Sequence, residues 1–165
     1  MILGRVESIL FICYGNIIRS VFAEKLMKKL LEESGNYLLK VTSAGIKAKS
    51  GTSSPENAVK IAKFHHIDLS NHRSTLMTRE MVEHADMIVC MEKWHSDVIS
   101  KQYHSTQNKL YLLSLFEKNG QGNNYYLKYN IPDPYGKEEM VFQNVYERIS
   151  KCLEELLMQI SKMNN

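Results

Sequence analysis

The chain has 165 residues, of which 44% are apolar and 24% charged, and its net charge is +3. This balance is typical of a globular domain that buries its own core, so residues 1–165 are most simply one domain. The lysines are scattered rather than clustered, which argues against a nucleic-acid-binding protein, whereas a mild positive charge suits an anionic ligand.

The first predicted strand is an apolar run near the N-terminus. Residues 9–12 are Ile, Leu, Phe and Ile, the continuous apolar pattern of a buried central strand. The run ends at Cys13, a Gly-Asn turn follows at 15–16, and apolar residues then recur at helical spacing up to a second Gly-Asn pair at 35–36. A strand, a tight loop and a helix in succession direct backbone N–H groups and the positive end of the helix dipole at one point. We therefore expect a socket for an oxyanion, with the sulfur of Cys13 beneath it.

Strands and helices alternate in the rest of the chain. Three more strands are predicted, over residues 37–42, 87–91 and 110–113. The other predicted helices begin after Ser54, cover 79–85 behind Thr78 as N-cap, cover 94–101, and cover 141–163. Residues 118–136 hold two prolines and are predicted to form a long loop. The alternation predicts an α/β fold: a single-domain four-stranded parallel sheet with helices on both faces and a phosphate-binding loop after strand 1.

The three cysteines, Cys13, Cys90 and Cys152, lie far apart and form no C-x-x-C motif. This pattern disfavours a disulfide framework and a zinc site, and it favours a reducing compartment. The apolar run at the N-terminus is too short for a signal peptide, and no segment reaches membrane-spanning length. We therefore expect a cytoplasmic protein that does not insert into a membrane.

Cys13 and Arg19 carry the groups needed for nucleophilic attack on phosphorus. A thiol attacks as its thiolate, and the loop N–H groups, the helix N-terminus and Arg19 would all favour that anion. Arg19 presents a planar fork that matches two phosphoryl oxygens, and Ser20 could donate its hydroxyl to the sulfur. The leaving oxygen also needs a proton, and Asp133, stiffened between two prolines, is the candidate donor.

The spacing of these residues is not specific by itself. A Cys-x5-Arg pair arises by chance, a cysteine after an apolar run is commonly a small buried hydrophobe, and a Pro-Asp-Pro segment is commonly an ordinary turn. The same socket would also serve a reductase or a non-catalytic phosphoprotein-binding module.

Four spaced motifs make the pattern far more specific. They are residues 13–20 (C-Y-G-N-I-I-R-S), 43–45 (S-A-G), 67–73 (I-D-L-S-N-H-R) and 133–135 (D-P-Y). In this order the chain resembles the low-molecular-weight protein tyrosine phosphatases over nearly its whole length. Met91-Glu92-Lys93 followed by His95, together with the segment from residue 131 to 146, resembles the bacterial capsule and exopolysaccharide branch of that family.

The resemblance implies a role for each matched residue. Cys13 would be the nucleophile that forms a phosphocysteine, Arg19 would bind the phosphoryl group, and Asp133 would be the general acid and then the base. Substrate binding would involve the rest of the loop and one adjoining aromatic residue: Tyr14, Gly15, Asn16, Ile17, Ile18, Ser20 and Tyr135. Ser43 and His72 would support the loop, in a hydrogen-bond network that also includes the side chains of Asn16 and Ser20.

The resemblance also implies the partners. The expected substrate is a phosphotyrosine protein, with a membrane tyrosine autokinase as the candidate, and the expected state is a monomer. No metal or other cofactor is required, and the spacing of the histidines does not suggest a metal site.

Three departures from the family pattern bear on the chemistry. Ile18 stands where the family often has a second cysteine that can form a reversible disulfide with the nucleophile, so Cys13 should overoxidise more readily. Val21 replaces the usual proline at the start of the helix, which predicts a slightly looser loop. Residues 46–50 lack the aromatic residue that lines one wall in many relatives, and they bring Lys47 and Lys49 near the site.

Three alternative functions of the same fold differ in the residues that they require. Protein-arginine phosphatases share the loop and the acid but carry Thr where this chain has Ile17, and a bulkier apolar residue better suits a phenyl ring. An arsenate reductase needs two resolving cysteines near the third strand, whereas only Cys90 is close. A non-catalytic binding module predicts the loss of Cys13, Arg19 or Asp133, and all three are present.

Overall fold

The computed structural model of the chain describes residues 5–35, 38–118 and 124–164. In these residues strands and helices alternate in the order β1 Ser8–Cys13, α1 Arg19–Glu33, β2 Lys40–Gly45, α2 Glu56–Phe64, α3 Arg79–His84, β3 Met87–Cys90, α4 Lys93–Gln102, β4 Leu110–Leu112, α5 Tyr125–Tyr129 and α6 Glu139–Asn164. Short 3-10 segments, His104–Lys109 and Leu113–Phe116, flank β4.

The four strands form one parallel sheet in the order β2-β1-β3-β4. The last residue of β1, Cys13, pairs with Gly45 of β2, and Ile12 pairs with Cys90 of β3. The carboxyl ends of the three strands therefore meet at one edge, and the chain leaves β1 between its two neighbours. In open parallel sheets this is the point at which ligands bind. The predicted four-stranded parallel architecture is confirmed.

Alternate residues of β1 belong to two separate cores. Ile9 and Phe11 pack in the larger cluster with buried residues of α1, α2 and α6, whereas Leu10 and Ile12 pack in the smaller cluster with α3 and α4. Side chains of a strand point alternately to opposite faces, so β1 is held on both sides. This makes β1 a rigid support for the loop that follows it.

Helices α1 and α6 meet through an aromatic stack behind the loop. The rings of Phe22 and Tyr146 are 3.8 Å apart and nearly parallel, and the Tyr146 hydroxyl donates to the carbonyl oxygen of Ile18 at 3.4 Å. The apolar residues that predicted α6, including Val145 and Ile149, face the larger core. The long helix thus packs directly against the start of α1.

Two predicted elements differ from the observed ones. The second strand begins at Lys40 rather than at residue 37, because Leu38 is exposed; residue 37 lies outside the described residues. The predicted loop over 118–136 contains helix α5, whose N-cap Asn124 accepts from the backbone N–H of Leu127 at 3.1 Å. The part of that loop from 119 to 123 is outside the described residues.

Helix α5 is stable in this position because of a contact with α6. The Arg148 guanidinium donates to the carbonyl oxygens of Leu127 and Asn130 at 2.5 and 2.7 Å and pairs with Glu117. These acceptors lie far from Arg148 along the chain, so the local composition of the loop gave no sign of the helix. Among the described helices, none combines the length and the apolarity needed to cross a membrane.

Candidate active site

The loop between β1 and α1 borders a cavity of about 400 Å³. Three segments line it: the loop from Cys13 to Arg19, apart from Asn16; Lys47, Lys49 and Thr52 after β2; and Asp133 with Tyr135 before α6. Most of the residues predicted to bind or transform the substrate therefore meet at one place. The side chains of Asn16 and Ser20 are the exceptions, because both are buried behind the loop.

Cys13 lines the cavity, and the residue as a whole is 2% exposed. The Ser20 hydroxyl is 3.0 Å from the sulfur, and the backbone N–H of Asn16 donates to it at 3.2 Å. Cys13 also ends β1, and Ser20 lies in the first turn of α1. Donors aimed at sulfur stabilise its anionic form, so the geometry suits a nucleophilic thiolate.

The orientation of the Asn16 side chain determines which way these hydrogen bonds run. The backbone N–H of Thr75 donates to Asn16 Oδ1 at 2.8 Å, and because an N–H group can only donate, the amide has one orientation. Asn16 Nδ2 then donates to Ser20 Oγ at 2.9 Å and to Ser43 Oγ at 2.8 Å. The hydroxyl hydrogen of Ser20 then has two acceptors within reach, the sulfur of Cys13 at 3.0 Å and the carbonyl oxygen of Ala44 at 3.5 Å, and the sulfur is the nearer.

The backbone of Asn16 is in the left-handed region, with φ of 54°. Asparagine adopts this conformation more readily than most residues, which explains its use in the turn. The Asn16 carbonyl oxygen accepts from Nε2 of His72 at 2.6 Å, so that nitrogen carries the hydrogen. Burial lowers the pKa of His72, which keeps the ring neutral. His72 thus contacts the loop from outside, through the carbonyl oxygen of Asn16.

Glu24 is a member of the network that was not predicted from the sequence. Ser43 Oγ donates to Glu24 Oε2 at 2.5 Å while accepting from Asn16. Glu24 lies four residues after Ser20, so both are on one face of α1. That spacing is the signal that could have identified it.

Gly45 allows the loop to lie directly against β2. A Cβ at this position would be 2.7 Å from the carbonyl oxygen of Tyr14 and 2.8 Å from the backbone nitrogen of Asn16. Backbone atoms cannot yield to such a contact as a side chain can, so any larger residue would displace the loop. The S-A-G motif included Gly45. Its role could not be predicted from the motif, because it depends on how close the backbone of β2 lies to the backbone of the loop.

The guanidinium of Arg19 is 1% exposed and faces three acceptors. Nη1 donates to the carbonyl oxygen of Ile131 at 2.9 Å and to the carboxylate of Glu92, and Nη2 donates to Asp133 Oδ2 at 2.7 Å. Burial by itself would lower the pKa of Arg19, but the negative charges of Cys13, Asp133 and Glu92 outweigh it and raise that pKa. Arg19 is therefore a permanent cation between the nucleophile and the candidate acid.

Glu92 and His95 hold Arg19 from the start of α4. The Glu92 carboxylate accepts from the backbone N–H of His95, while His95 Nδ1 accepts from the backbone N–H of Glu92 at 3.1 Å. Burial, with a smaller contribution from the charge of Arg19, lowers the pKa of His95 to about 3, so its ring is neutral. In the sequence, both residues were interpreted only as marks of a family branch. The capping box that directly follows a central strand is the sequence feature that could have identified Glu92 and His95 as residues near the site.

Asp133 is positioned by the backbone on both sides of it. Ile131 is buried and donates its N–H to the carbonyl oxygen of Met91 at 2.7 Å, which attaches the segment to the end of β3. The backbone N–H of Tyr135 donates to Asp133 Oδ1 at 3.1 Å, whereas Oδ2 faces Arg19. One carboxylate oxygen thus holds the turn, and the other points to the guanidinium.

Two tyrosine side chains, Tyr14 and Tyr135, line the cavity. Tyr135 is 64% exposed and Tyr14 is 50% exposed, and the ring of Tyr14 lies 6.0 Å from that of Trp94. Burial, together with the negative charges of Glu92 and Asp133, raises the pKa of Tyr126 in α5. Trp94 and Tyr126 were not predicted as site residues.

In the described part of the chain, no group of three His, Cys, Asp or Glu side chains could hold a metal ion.

A protein-family model described as low molecular weight phosphotyrosine protein phosphatase matches residues 8–165. The chain belongs to this family. The match begins with β1 and includes every segment that lines the cavity, so the phosphatase fold and its loop were correctly predicted from the motifs.

Relatives of this phosphatase cover almost the whole chain. The probable low-molecular-weight protein-tyrosine-phosphatase AmsI of Erwinia amylovora is 31% identical over 95% of this chain and 99% of AmsI. The AmsI crystal structure is similar with a TM-score of 0.80 over 93% of each chain. The low-molecular-weight protein-tyrosine-phosphatase Wzb of Escherichia coli K12 is 30% identical over 90% of this chain and 92% of Wzb. A protein-arginine-phosphatase of Bacillus subtilis is 29% identical over 93% and 97% of the two chains.

Proposed function

We propose that this phosphatase hydrolyses phosphotyrosine in protein substrates through a phosphocysteine intermediate, with residues 1–165 acting as one catalytic domain. The observation that carries the proposal is the cavity shared by Cys13, Arg19 and Asp133, in which the guanidinium and the carboxylate are 2.7 Å apart. A nucleophile, a cation for the phosphoryl oxygens and an acid are the groups that phosphoryl transfer requires.

In the first step, the thiolate of Cys13 attacks phosphorus and the bond from phosphorus to the tyrosyl oxygen breaks. Arg19 binds two phosphoryl oxygens through its planar fork and offsets the charge of the transition state. Protonated Asp133 gives its proton to the leaving oxygen, so the tyrosine departs as a neutral phenol.

In the second step, the Asp133 carboxylate takes a proton from water, and the water oxygen attacks the phosphocysteine. The bond from phosphorus to sulfur breaks, inorganic phosphate leaves, and Asp133 is protonated again. The departing thiolate of Cys13 is stabilised by the Ser20 hydroxyl at 3.0 Å and the Asn16 N–H at 3.2 Å. The network behind the loop thus serves the sulfur as a leaving group as well as a nucleophile.

Phosphotyrosine is favoured over phosphoarginine by the apolar side chains in the cavity. Ile17 is half-buried and lines the cavity, and the exposed ring of Tyr135 lies at its mouth. These surfaces complement a phenyl ring by burial and stacking, whereas an arginine side chain would place a polar guanidino group against them. Protein-arginine phosphatase is the alternative, and the likeness to the enzyme of Bacillus subtilis makes it a specific one.

The two substrate classes are distinguished by direct comparison. We expect wild-type protein to hydrolyse phosphotyrosine peptides with a higher kcat/KM than matched phosphoarginine peptides, and Cys13→Ser to hydrolyse neither. A clear preference for phosphoarginine would contradict the assignment. Equal rates of p-nitrophenyl phosphate hydrolysis by wild type and Cys13→Ser would contradict the enzymatic mechanism altogether.

We propose further that the physiological substrate is a membrane tyrosine autokinase in exopolysaccharide or capsule regulation, met in the cytoplasm by a monomeric phosphatase. The proposal is supported by the branch motifs around Glu92 and by the likeness to AmsI and Wzb. Substrate trapping with Cys13→Ser or Asp133→Ala, followed by identification of the captured phosphoprotein, tests it. Capture of proteins other than a tyrosine kinase would contradict the partner and leave the activity in place.

A further inference from the structure

Two lysines project from the segment that follows β2 into the same cavity as the nucleophile. Lys47 and Lys49 are exposed, whereas Ile46 and Ala48 between and before them are buried. Both lysine side chains line the cavity together with Cys13.

The backbone that carries these lysines is held firmly. The N–H of Lys47 donates to the carbonyl oxygen of Tyr14 at 2.9 Å, which ties it to the nucleophile loop. The carbonyl oxygen of Lys49 accepts from the hydroxyls of Thr52 and Ser74 at 2.7 and 2.6 Å. Only the flexible side chains are free to adapt, so each ammonium group moves about a fixed point beside the cavity.

Within the described ranges, neither lysine forms an ion pair with an acidic residue. The ion pairs formed by the residues that the structure describes include no contact to Lys47 or Lys49. Asp133, the acidic residue lining the cavity, faces Arg19 at 2.7 Å. Arg19 and the loop N–H groups suffice for the phosphoryl group, so the two lysines are positive charge beyond what the reacting phosphate needs.

We infer that Lys47 and Lys49 form a subsite for a second oxyanion of the substrate, carried by a residue next to the phosphotyrosine in the peptide. The inference rests on the proposed function, because it assigns a substrate class to the same site. The recognised chemistry is a carboxylate or a second phosphate, both of which pair with ammonium groups. The phosphatase therefore prefers acidic or multiply phosphorylated segments.

The test is a set of phosphotyrosine peptides that differ in one flanking residue. The reference peptide has neutral flanks, and the others carry one aspartate, or one further phosphotyrosine, at each position from three before to three after the reacting residue. We expect the best acidic peptide to exceed the reference in kcat/KM by about threefold to tenfold at low salt, because exposed ion pairs contribute modestly. The second phosphate should exceed aspartate, since it carries more charge.

The double variant Lys47→Met/Lys49→Met should abolish this preference. Its matched control is Lys40→Met/Lys151→Met, which removes the same charge from exposed lysines that do not line the cavity. The control should retain the preference, because only the local charges contact the flanking residue. Raising the salt concentration should reduce the preference in the wild type and the control alike.

Several outcomes would overturn the inference. A wild type without flank preference would do so, and so would a preference that survives in Lys47→Met/Lys49→Met. A variant that loses the same factor on the neutral reference would show that the lysines attract the reacting phosphate instead. A protein that hydrolyses none of the phosphotyrosine peptides but accepts phosphoarginine would contradict the proposed function, which separates that failure from failure of the subsite.

Discussion

Asn16 shows how one residue organises the chemistry of the loop. Its side-chain oxygen accepts from the backbone of Thr75, so its amide nitrogen must donate to both Ser20 and Ser43. Because Ser20 Oγ accepts from Asn16, its hydrogen can go to the sulfur of Cys13 at 3.0 Å, which is nearer than the carbonyl oxygen of Ala44 at 3.5 Å. The direction of each hydrogen bond follows from groups that can only donate.

Ser20→Ala should therefore slow the release of phosphate from the phosphocysteine more than its formation. Loss of one donor to the sulfur should lower kcat by roughly tenfold to a hundredfold. Stopped-flow measurement of p-nitrophenol release should show a burst that the wild type lacks or shows more weakly. Ser114→Ala, at another buried serine, is the control and should keep wild-type kinetics. Unchanged kinetics in Ser20→Ala would contradict the role of the hydroxyl.

Glycine is required at position 45 because the backbone of the loop lies close to it, and not because of its own backbone conformation. In Gly45→Ala the new Cβ would lie 2.7 Å from the carbonyl oxygen of Tyr14, and relief requires movement of the loop. We expect a loss of about 1–3 kcal/mol in the free energy of unfolding, typical of overpacking, together with weaker phosphate inhibition. Urea unfolding and the inhibition constant of inorganic phosphate measure the two effects. If the variant has the wild-type free energy of unfolding and the wild-type inhibition constant, the loop can move away from the new Cβ without loss of stability or of phosphate binding.

Among the elements, the segment between α5 and α6 carries Asp133, the proposed general acid. It is attached to β3 through Ile131 and Met91 and to α6 through Arg148. Neither attachment involves neighbours in the chain, which is why this stretch was predicted as a loop without a helix. The contacts position Asp133 across the cavity from the nucleophile.

Asp133→Ala should slow aryl phosphates with poor leaving groups far more than those with good ones. A leaving phenolate of low basicity departs without a proton, whereas a tyrosine-like phenolate needs one from Asp133. Plots of log kcat/KM against the basicity of the leaving phenol should be steeper for the variant than for the wild type. Equal slowing across the series would mean that Asp133 is not the acid.

At the scale of the whole molecule, burial of histidines makes stability depend on pH. Burial lowers the pKa of His65, His72 and His95, the last to about 3. The unfolded chain thus takes up protons on these rings near pH 6.5, whereas the folded chain does so only at lower pH. Stability contributed by the neutral rings is complete above pH 6.5 and is lost as the pH falls below it.

His95→Asn should make the stability less dependent on pH. The asparagine oxygen can accept from the backbone N–H of Glu92 as His95 Nδ1 does, but it does not titrate. Urea unfolding between pH 7 and pH 5 should give a slope reduced by up to about 1.4 kcal/mol per pH unit. His104→Asn, at an exposed histidine, should keep the wild-type slope. An unchanged slope in His95→Asn would contradict the burial of a neutral ring.

The sequence by itself determined the local part of the site. β1, the loop and the start of α1 are contiguous, so the apolar run, the Gly-Asn turn and the spacing from Cys13 to Arg19 were sufficient to predict the socket. The four motifs then predicted the family, and the alternation of strands and helices predicted a parallel sheet. Each of these conclusions depends on neighbours in the chain, whose relative positions the backbone geometry restricts.

Only the tertiary structure decided which distant groups meet at the socket. Arg19 contacts Glu92 and Asp133, which are 73 and 114 positions away, because β3 pairs with β1 and carries the start of α4 to the same edge. The strand order and the packing of α6 depend on the apolar surface that is buried in both cores together. No local sequence pattern encodes that total. The positions of Glu24, Glu92 and the Lys47–Lys49 side of the cavity follow from that packing. The nucleophile is a local feature of the chain, whereas its electrostatic surroundings are a property of the fold.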